Sequence, residues 1–241
     1  MKKIFLFATI IVFFVATGLI LQSFTGNAQK IESKKIEISS FTELIVKVPF
    51  NVIFTQGDAS TLTIDADAAT LQIIEVVQKG DELTIGINDN QNKNVKSSED
   101  VKIYLSTPAL KKINLAGSGS FSSTNSLISK ETITTSVAGS GNIDILILSA
   151  ALKGDIAGSG NITIKGTTKN VTFSIAGSGN MMLLDLIAED VTGEIAGSGS
   201  AKVHANNSLE ASIAGSGDLT YSGDPKKVTK NINGSGSVKE N

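Results

Sequence analysis

Asp65 and Asp67 are two acidic residues whose spacing could allow them to act together in catalysis or metal binding. They follow the strand-like run Leu62-Thr63-Ile64, and side chains two positions apart on a strand lie on the same face. Paired carboxylates can bind calcium or serve as the acid and base of glycoside hydrolysis. A strand face in contact with water also carries such residues, and we expect this simpler role.

More oxygen-bearing side chains occur in a polar stretch before residue 100. They could ligate calcium, but the stretch lacks the glycine and the terminal glutamate of a calcium-binding loop. Glu99-Asp100 and Glu189-Asp190 are adjacent acids, whose side chains diverge on a strand. We predict no metal site and no cofactor, and we expect a flexible polar loop around Asp89, Asn90, Asn92 and Asn94.

His204 is the only histidine, and its alternation with Ala201 and Val203 predicts an outward position beside Lys202. No other donor has a spacing that would complete a zinc site with it. The chain has no cysteine, which excludes thiol catalysis, disulfide bonds and cysteine-based zinc sites. It also has no arginine and no basic stripe, which argues against nucleic acid as a partner. We predict that the protein is not an enzyme.

A motif of four residues, Ala-Gly-Ser-Gly, recurs through the C-terminal half of the chain. The first glycines of successive copies are 22, 19, 19, 20, 18 and 19 residues apart. An aliphatic residue precedes each copy, and a small polar residue and then a mostly apolar one follow it. A unit this short cannot bury its own apolar face, whereas stacked copies can. The copies begin at Ala116, Ala138, Ala157, Ala176, Ala196, Ala214 and, with asparagine in first place, Asn233.

Alternation with period two on both sides of the motif, as in residues 161–165, indicates strands with one buried face. We therefore predict an all-β fold, a right-handed parallel β-helix with coils of about 19 residues. Equivalent residues should stack as an aliphatic row inside and as a row of serine and asparagine at the corner. Each coil should contain three strands, with a second corner marked by glycine or asparagine, for which Gly154, Gly166, Gly193 and Gly223 are candidates.

The glycines of the motif have two interpretations. Glycine adopts positive φ without strain and lets neighbouring backbones approach closely, so the corners could be purely structural. Successive amides in such a turn can also hold an anion, and the corners would then form a row of anion sites. Because no lysine recurs beside the motif, we predict a structural role for Gly117, Gly119, Gly139, Gly141, Gly158, Gly160, Gly177, Gly179, Gly197, Gly199, Gly215, Gly217, Gly234 and Gly236.

Residues 29–115 lack the motif but remain rich in strand-forming residues. We predict an N-terminal β segment that is stacked on the same solenoid and is continuous with the repeat region, residues 116–241. Gly57-Asp58 and Gly80-Asp81 mark turns. Residues 66–78 could form a helix, although Ile73–Val77 is equally typical of a strand. Strands are predicted at residues 36–38, 44–48, 51–54, 62–64, 83–85 and 101–105.

The N-terminus has the pattern of an export signal. Lys2-Lys3 precede an apolar stretch from Ile4 to Leu21, and Gly26-Asn27-Ala28 matches a signal-peptidase site with cleavage before Gln29. We therefore assign residues 1–28 to a signal peptide and predict an exported protein that is periplasmic, on the outer surface or secreted. An uncleaved membrane anchor is the alternative, because about 18 apolar residues can span a bilayer.

The order of these features resembles the putative auto-transporter adhesin family, whose module is the head GIN domain. The resemblance extends over residues 36–238 and implies a β-helical fold, export and an adhesive role, with no catalytic residues. The residues that carry it are Phe41–Leu44, Phe54–Gly57, Gly80–Ile85, Pro108–Leu110, Gly139–Ile143, Gly158–Ile162 and Leu219–Pro225.

We predict a cell-envelope or surface module that binds or adheres without catalysis. Threonine, serine and asparagine on flat β faces suit weak multivalent contacts with a cell-surface glycan or an envelope protein. The same surface suits a passive structural protein, which is the first alternative. A polysaccharide-cleaving β-helix is the second, although the chain has no tryptophan for a sugar platform. Membrane contact is expected only through an uncleaved N-terminal segment.

Overall fold

The computed structural model describes residues 30–88 and 100–241 and is dominated by strands, with 75% strand and 3% helix. The predicted signal peptide and the polar residues Asp89 to Asn94 lie outside the described residues. No helix in the described part of the chain is long and apolar enough to cross a membrane. The elements are β1 (Glu32–Ile36), β2 (Glu43–Val46), β3 (Asn51–Gln56), β4 (Thr61–Ala66), α1 (Ala68–Ile73), β5 (Ile74–Lys79), β6 (Glu82–Ile87), β7 (Lys102–Thr107), β8 (Lys112–Gly117), β9 (Ser120–Gly139), β10 (Asn142–Gly158), β11 (Asn161–Gly177), β12 (Asn180–Gly197), β13 (Ser200–Gly215), β14 (Asp218–Ser222), β15 (Lys227–Gly234) and β16 (Ser237–Glu240).

The repeat region forms the predicted β-solenoid, with about 7 turns and coils about 19 residues apart. Strands β9 to β13 pair in parallel with their neighbours, so that Ile143 lies between Phe121 and Ile162. The prediction of three short strands in each coil was wrong. Each coil is one long strand from corner to corner, because pairing with the next coil continues through the second corner. That corner is visible as two successive outward residues, such as Lys169 and Asn170.

The N-terminal segment is stacked on the same solenoid, but in an order that differs from the chain order. Strands β2 and β3 pair in parallel with β8 and β9 on one side and with β6 and β7 on the other. The chain therefore begins in the second coil, passes outward to form the first coil, and returns to form the third. Antiparallel strands β1, β4 and β5 cover the N-terminal end of this stack.

The region with two interpretations, residues 66–78, contains both a helix and a strand. Asp67 caps α1 by accepting hydrogen bonds from the amides of Ala69 and Thr70. The helix ends at Ile73, and β5 begins at Ile74 because its β-branched and aliphatic residues pair with β6. The turn Gly80-Asp81 closes this hairpin, with φ of +58° at Gly80.

The core consists of aliphatic rows that run along the solenoid. One predicted row, which precedes the corners, aligns Leu115, Val137, Ile156, Ile175 and Ile195 in register. All five side chains are 2% exposed or less. The predicted interior stack of aliphatic residues is therefore present, and each coil contributes one layer to it.

Two of the four predicted second-corner glycines have a different role. Gly166 and Gly223 have φ of +116° and +95°, which favours glycine, although Gly166 lies three residues before the outward pair Lys169-Asn170. Gly154 and Gly193 instead lie inside β10 and β12, in register with Phe173 of β11. A Cβ atom on Gly193 would lie 2.2 Å from Cζ of Phe173. These glycines are therefore small core residues beside a large one, and their assignment to corners was wrong.

The two glycines of each corner are needed for different reasons, which Gly177 and Gly179 illustrate. Gly177 has φ of +126°, and a Cβ atom there would lie 2.4 Å from the carbonyl oxygen of Gly158 in the preceding coil. Gly179 has no positive φ, but its Cβ atom would lie 2.5 Å from the carbonyl oxygen of Gly160. The first position therefore requires glycine for its conformation and its space, and the second for space alone.

We expect Gly177→Val to destabilise the protein by about 3 kcal/mol or more, because valine resists positive φ and collides with the coil before it. Gly179→Ala should also destabilise, through the collision alone. Gly86→Ala is the matched control, since its Cβ atom would meet nothing within 4 Å. Thermal and urea unfolding of the three variants measure the effect. Equal stability of Gly177→Val and the control would contradict the close stacking of the corners.

Two buried threonines should respond oppositely to replacement by valine. Thr135 Oγ1 is buried without a hydrogen-bond partner among the described residues. Thr107 Oγ1 donates to the carbonyl oxygen of Phe41 at 2.9 Å and accepts from Ser60 Oγ at 3.2 Å. We expect Thr135→Val to stabilise by about 1 kcal/mol and Thr107→Val to destabilise by about 1–3 kcal/mol, because only the second leaves a buried carbonyl unpaired. Chemical denaturation tests both, and destabilisation by Thr135→Val would refute the first expectation.

Candidate functional surfaces

Asp65 and Asp67, which could have formed a catalytic or calcium-binding pair, instead accept hydrogen bonds that stabilise the local structure. Asp65 accepts a hydrogen bond from Ser33 Oγ of β1 at 2.6 Å. Asp67 lies beyond the end of β4, where both of its carboxylate oxygens accept hydrogen bonds from the first turn of α1. A joint acid and base role has no support in this arrangement. Within the described ranges, no group of three histidine, cysteine, aspartate or glutamate side chains could hold a metal ion.

His204 lies on an outward face, as predicted, and forms hydrogen bonds with both ring nitrogens. Its Nδ1 atom lies 3.1 Å from Ser222 Oγ, and its Nε2 atom lies 3.0 Å from Asn206 Oδ1. Such an order of serine, histidine and amide could activate a serine in an enclosed site. Here Asn206 is exposed and the three groups lie on an open strand face, so water competes for each of them.

Asp190 is held by two neighbours at the second corner, while the adjacent Glu189 is exposed. Hydrogen bonds from Ser208 and Asn207 lower the pKa of Asp190, because they stabilise its charged form. The carboxylate thus ties β12 to β13. This contact stabilises the folded state above the ordinary pKa of an aspartate and is lost as the pH falls through the lowered pKa.

The amides of the Gly-Ser-Gly corners are occupied by bonds between coils. The amides of Ser159 and Gly160 both donate to the carbonyl oxygen of Gly139, at 2.9 and 3.0 Å. Ser198 and Gly199 make the same pair of bonds to Gly177. An anion would need these donors, so the geometry favours the structural interpretation of the corners over a row of anion sites.

A ladder of polar side chains follows the corners, as the repeat predicts. Asn161 Nδ2 donates to Asn142 Oδ1 at 2.7 Å, Asn180 Nδ2 donates to Asn161 Oδ1 at 2.8 Å, and Ser200 Oγ donates to Asn180 Oδ1 at 2.6 Å. The side chains therefore satisfy one another along the solenoid. They stabilise the stack and offer few free donors to a ligand.

A flat surface precedes each corner, and we call it the polar face. It consists of two outward rows in which the residues of successive coils are in register. Paired strands lie about 4.8 Å apart, so the side chains form a regular array. Most are short and hydroxyl-bearing, with a few charges of both signs: Thr134, Lys153, Thr172, Thr192 and Glu210 in one row, and Ser136, Asp155, Ser174, Glu194 and Ser212 in the other.

Register is less regular on the strands that follow the corners. Lys202 aligns with Thr220, and His204 with Ser222, as expected for equivalent positions. Thr163 aligns with Asp144, but Lys165 aligns with Leu146 and not with His204. The reason is that pairing slips by extra residues between β11 and β12 and again between β12 and β13. Outward residues at equivalent positions of the repeat are therefore aligned over only part of this side of the solenoid.

Four exposed aliphatic side chains lie close together beside the second corner. Ile128, Leu148 and Ile187 are 60, 51 and 48% exposed and are aligned in register through Thr167. Leu146, 41% exposed, lies two residues before Leu148. We call these side chains the aliphatic row. The unbroken apolar run of residues 145–148 is the signal that could have indicated it, because alternation there would have placed a polar residue outward.

Comparison with solved structures identifies the same fold elsewhere. A "putative adhesin" from Bacteroides fragilis is 23% identical with a TM-score of 0.82, and the match covers 89% of this chain and 98% of that one. A "putative lipid binding protein" from Parabacteroides distasonis is 28% identical with a TM-score of 0.72, covering 90% and 98%. A "putative adhesin" from the same species is 26% identical with a TM-score of 0.67, covering 89% and 98%. No curated protein matches the sequence.

The model of one protein family, described as "Putative auto-transporter adhesin, head GIN domain", matches residues 40–225. This range contains most of the solenoid, from β2 to β14. It also contains the residues on which the resemblance in the sequence was based. The chain therefore belongs to the putative auto-transporter adhesin, head GIN domain family.

Proposed function

We propose that the protein is an exported surface module that adheres through its polar face by many weak contacts. The observation that carries this proposal is the in-register array of outward side chains on successive coils. The adhesin names of the family and of its solved relatives support a role at the cell surface. The proposed partner is a cell-surface glycan or an envelope protein.

The side chains of the polar face favour weak individual contacts, so that a high overall affinity requires several contacts at once. Thr172 and Thr192 are exposed, whereas Ser174 is half-buried, so most coils offer one or two short hydroxyl groups. One hydrogen bond of this kind contributes about 1 kcal/mol or less at an exposed site. A repeating ligand that contacts several coils at once would add such contributions, and a monomeric ligand would not.

Contact with lipid is a second candidate function, and a specific observation favours it. The aliphatic row places four exposed apolar side chains near one another on the solenoid, with Ile128 more than half exposed. The relative from Parabacteroides distasonis that is named for lipid binding is 28% identical over 90% of this chain. Lipid contact and glycan adhesion use different surfaces, so they can be tested separately.

For the polar face, we expect Thr134→Ala, Thr172→Ala and Thr192→Ala each to weaken binding to a glycan or envelope polymer by roughly twofold to threefold, and the triple variant by roughly tenfold. Glycan arrays and pull-downs with cell-envelope polymers measure this. Thr163→Ala and Thr220→Ala, after the corners, are matched controls. Abolition by a single substitution would indicate a discrete pocket, and no binding to any polymer would favour a passive structural protein.

We also expect the purified protein to release neither reducing ends nor unsaturated sugars from common polysaccharides. Asp65 and Asp67 are occupied by separate local contacts, which leaves no paired acid and base at that position. Activity that disappears in Asp65→Asn or Asp67→Asn would overturn this expectation. Circular dichroism of both variants would show whether lost activity reflects lost structure.

A further inference from the structure

We propose that the aliphatic row inserts into the surface of a lipid bilayer without preference for headgroup charge, and that it aligns the solenoid axis with the plane of the membrane. This proposal rests on the second candidate function and specifies the form of lipid contact. Its members Ile128, Leu148 and Ile187 belong to β9, β10 and β12, and Thr167 of β11 lies in register between the last two, so the row runs along the axis. A bilayer that contacts the whole row must therefore lie parallel to that axis.

The outward aliphatic residues are not needed for the core. Their inward neighbours Leu127, Ile147 and Leu186 are 1% exposed or less and complete the buried layers. Hydroxyl-bearing or charged residues occupy the corresponding outward positions on the polar face. Large apolar areas of Ile128, Leu148 and Ile187 are therefore exposed to water although this exposure does not stabilise the fold. Exposed apolar surface of this kind is typical of an interaction site.

The shape and size of the row favour a bilayer over a folded partner or a single enclosed lipid. Three steps between coils give it a length of about 14 Å. A stable protein interface buries about 800 Å² on each partner, which three or four side chains cannot supply. The row also lies beside the second corner, and its side chains are 41 to 60% exposed, so a single acyl chain bound there would remain largely in contact with water. A fluid apolar surface can accept such an edge without a matching shape.

Charges of both signs surround the row. Lys130, Lys169 and Glu189 lie on the side of the second corner, and Lys165 and Asp185 lie on the other side with Nζ and Oδ2 3.9 Å apart. Lysine stems can extend along a membrane interface while their ammonium groups stay in water. Because the two acids offset two of the three lysines, the binding energy on an anionic membrane exceeds that on a neutral one by little. Binding should therefore be similar on both.

The position of the row is also within reach of a membrane-anchored N-terminus. The sheet order β1, β4, β7, β3, β9 places the row's first strand four strands from β1, or about 19 Å away. Residues 22–29 separate the apolar stretch from Lys30 and can span about 27 Å when extended. If the N-terminal anchor is retained, the row can contact the bilayer in which the anchor lies. If the signal peptide is cleaved, the row must bind the bilayer without an anchor.

Site-specific labelling tests the proposal, because the chain has no cysteine. All described elements belong to residues 30–241, so a chain that begins at Gln29 keeps the whole sheet. Thr167→Cys places an environment-sensitive fluorophore in the middle of the row, and Ser159→Cys places it at an exposed corner as the control. Vesicles of phosphatidylcholine, alone and with phosphatidylglycerol, should shift the emission of the first label to the blue equally, and leave the second unchanged.

Flotation with the same vesicles provides the second measurement. We expect Ile128→Ser, Leu148→Ser and Ile187→Ser together to reduce the bound fraction by roughly tenfold or more. The matched control is Ile31→Ser with Tyr104→Ser, which removes exposed apolar groups that lie away from the row. Circular dichroism is expected to show the same strand content in both variants. If the combined row variant unfolds, Leu148→Ser alone takes its place. The bound fraction must then fall more in Leu148→Ser than in the control variant.

The outcomes separate the inference from the functions on which it depends. Flotation that survives the row variant would overturn the row as the contact while lipid binding stands. Absence of flotation by the unsubstituted protein would refute both, and it would leave glycan adhesion by the polar face untouched. A blue shift of the Thr167→Cys label without vesicles, increasing with protein concentration, would show that a second copy covers the row and would also overturn the proposal.

Discussion

The close approach of one Gly-Ser-Gly corner to the next is the constraint on which the rest of the solenoid depends. The carbonyl oxygen of one corner accepts amides from the following corner at about 3 Å, as Gly139 does from Ser159 and Gly160. A side chain at either glycine would collide with a carbonyl oxygen of the preceding corner. The register of the interior row that precedes the corners and the side-chain ladder from Asn142 to Ser200 depend on that contact.

Because the corners and the interior rows stabilise the stacked coils, the side chains of the polar face contribute little to the fold. Thr172, Lys153 and Glu210 occupy one outward row without any change in backbone register. Residues at these outward positions are therefore free to bind a partner. Their chemistry is the feature of the structure from which a function can be inferred. The polar face and the aliphatic row differ in that chemistry, which is why we assign them to different partners.

The repeat predicted the parallel coils, the inner aliphatic row and the polar ladder, because each depends on residues at one fixed spacing. It could not predict the role of Gly193, since a glycine beside a large neighbour and a glycine in a turn look alike until Phe173 is placed. The aliphatic row was missed for a related reason. Leu148 lies in an apolar run whose outward members are identified only when register distinguishes the two faces.

The sequence by itself determined the fold class, the length of the coil and the conformational need for glycine at positions such as Gly177, because these are local properties repeated at short range. Only the tertiary structure decided that the chain begins in the second coil and that antiparallel strands cover the N-terminal end. It also decided which outward residues are neighbours. Pairing between distant strands sets both, and no local pattern encodes which strand of several similar ones β2 will join.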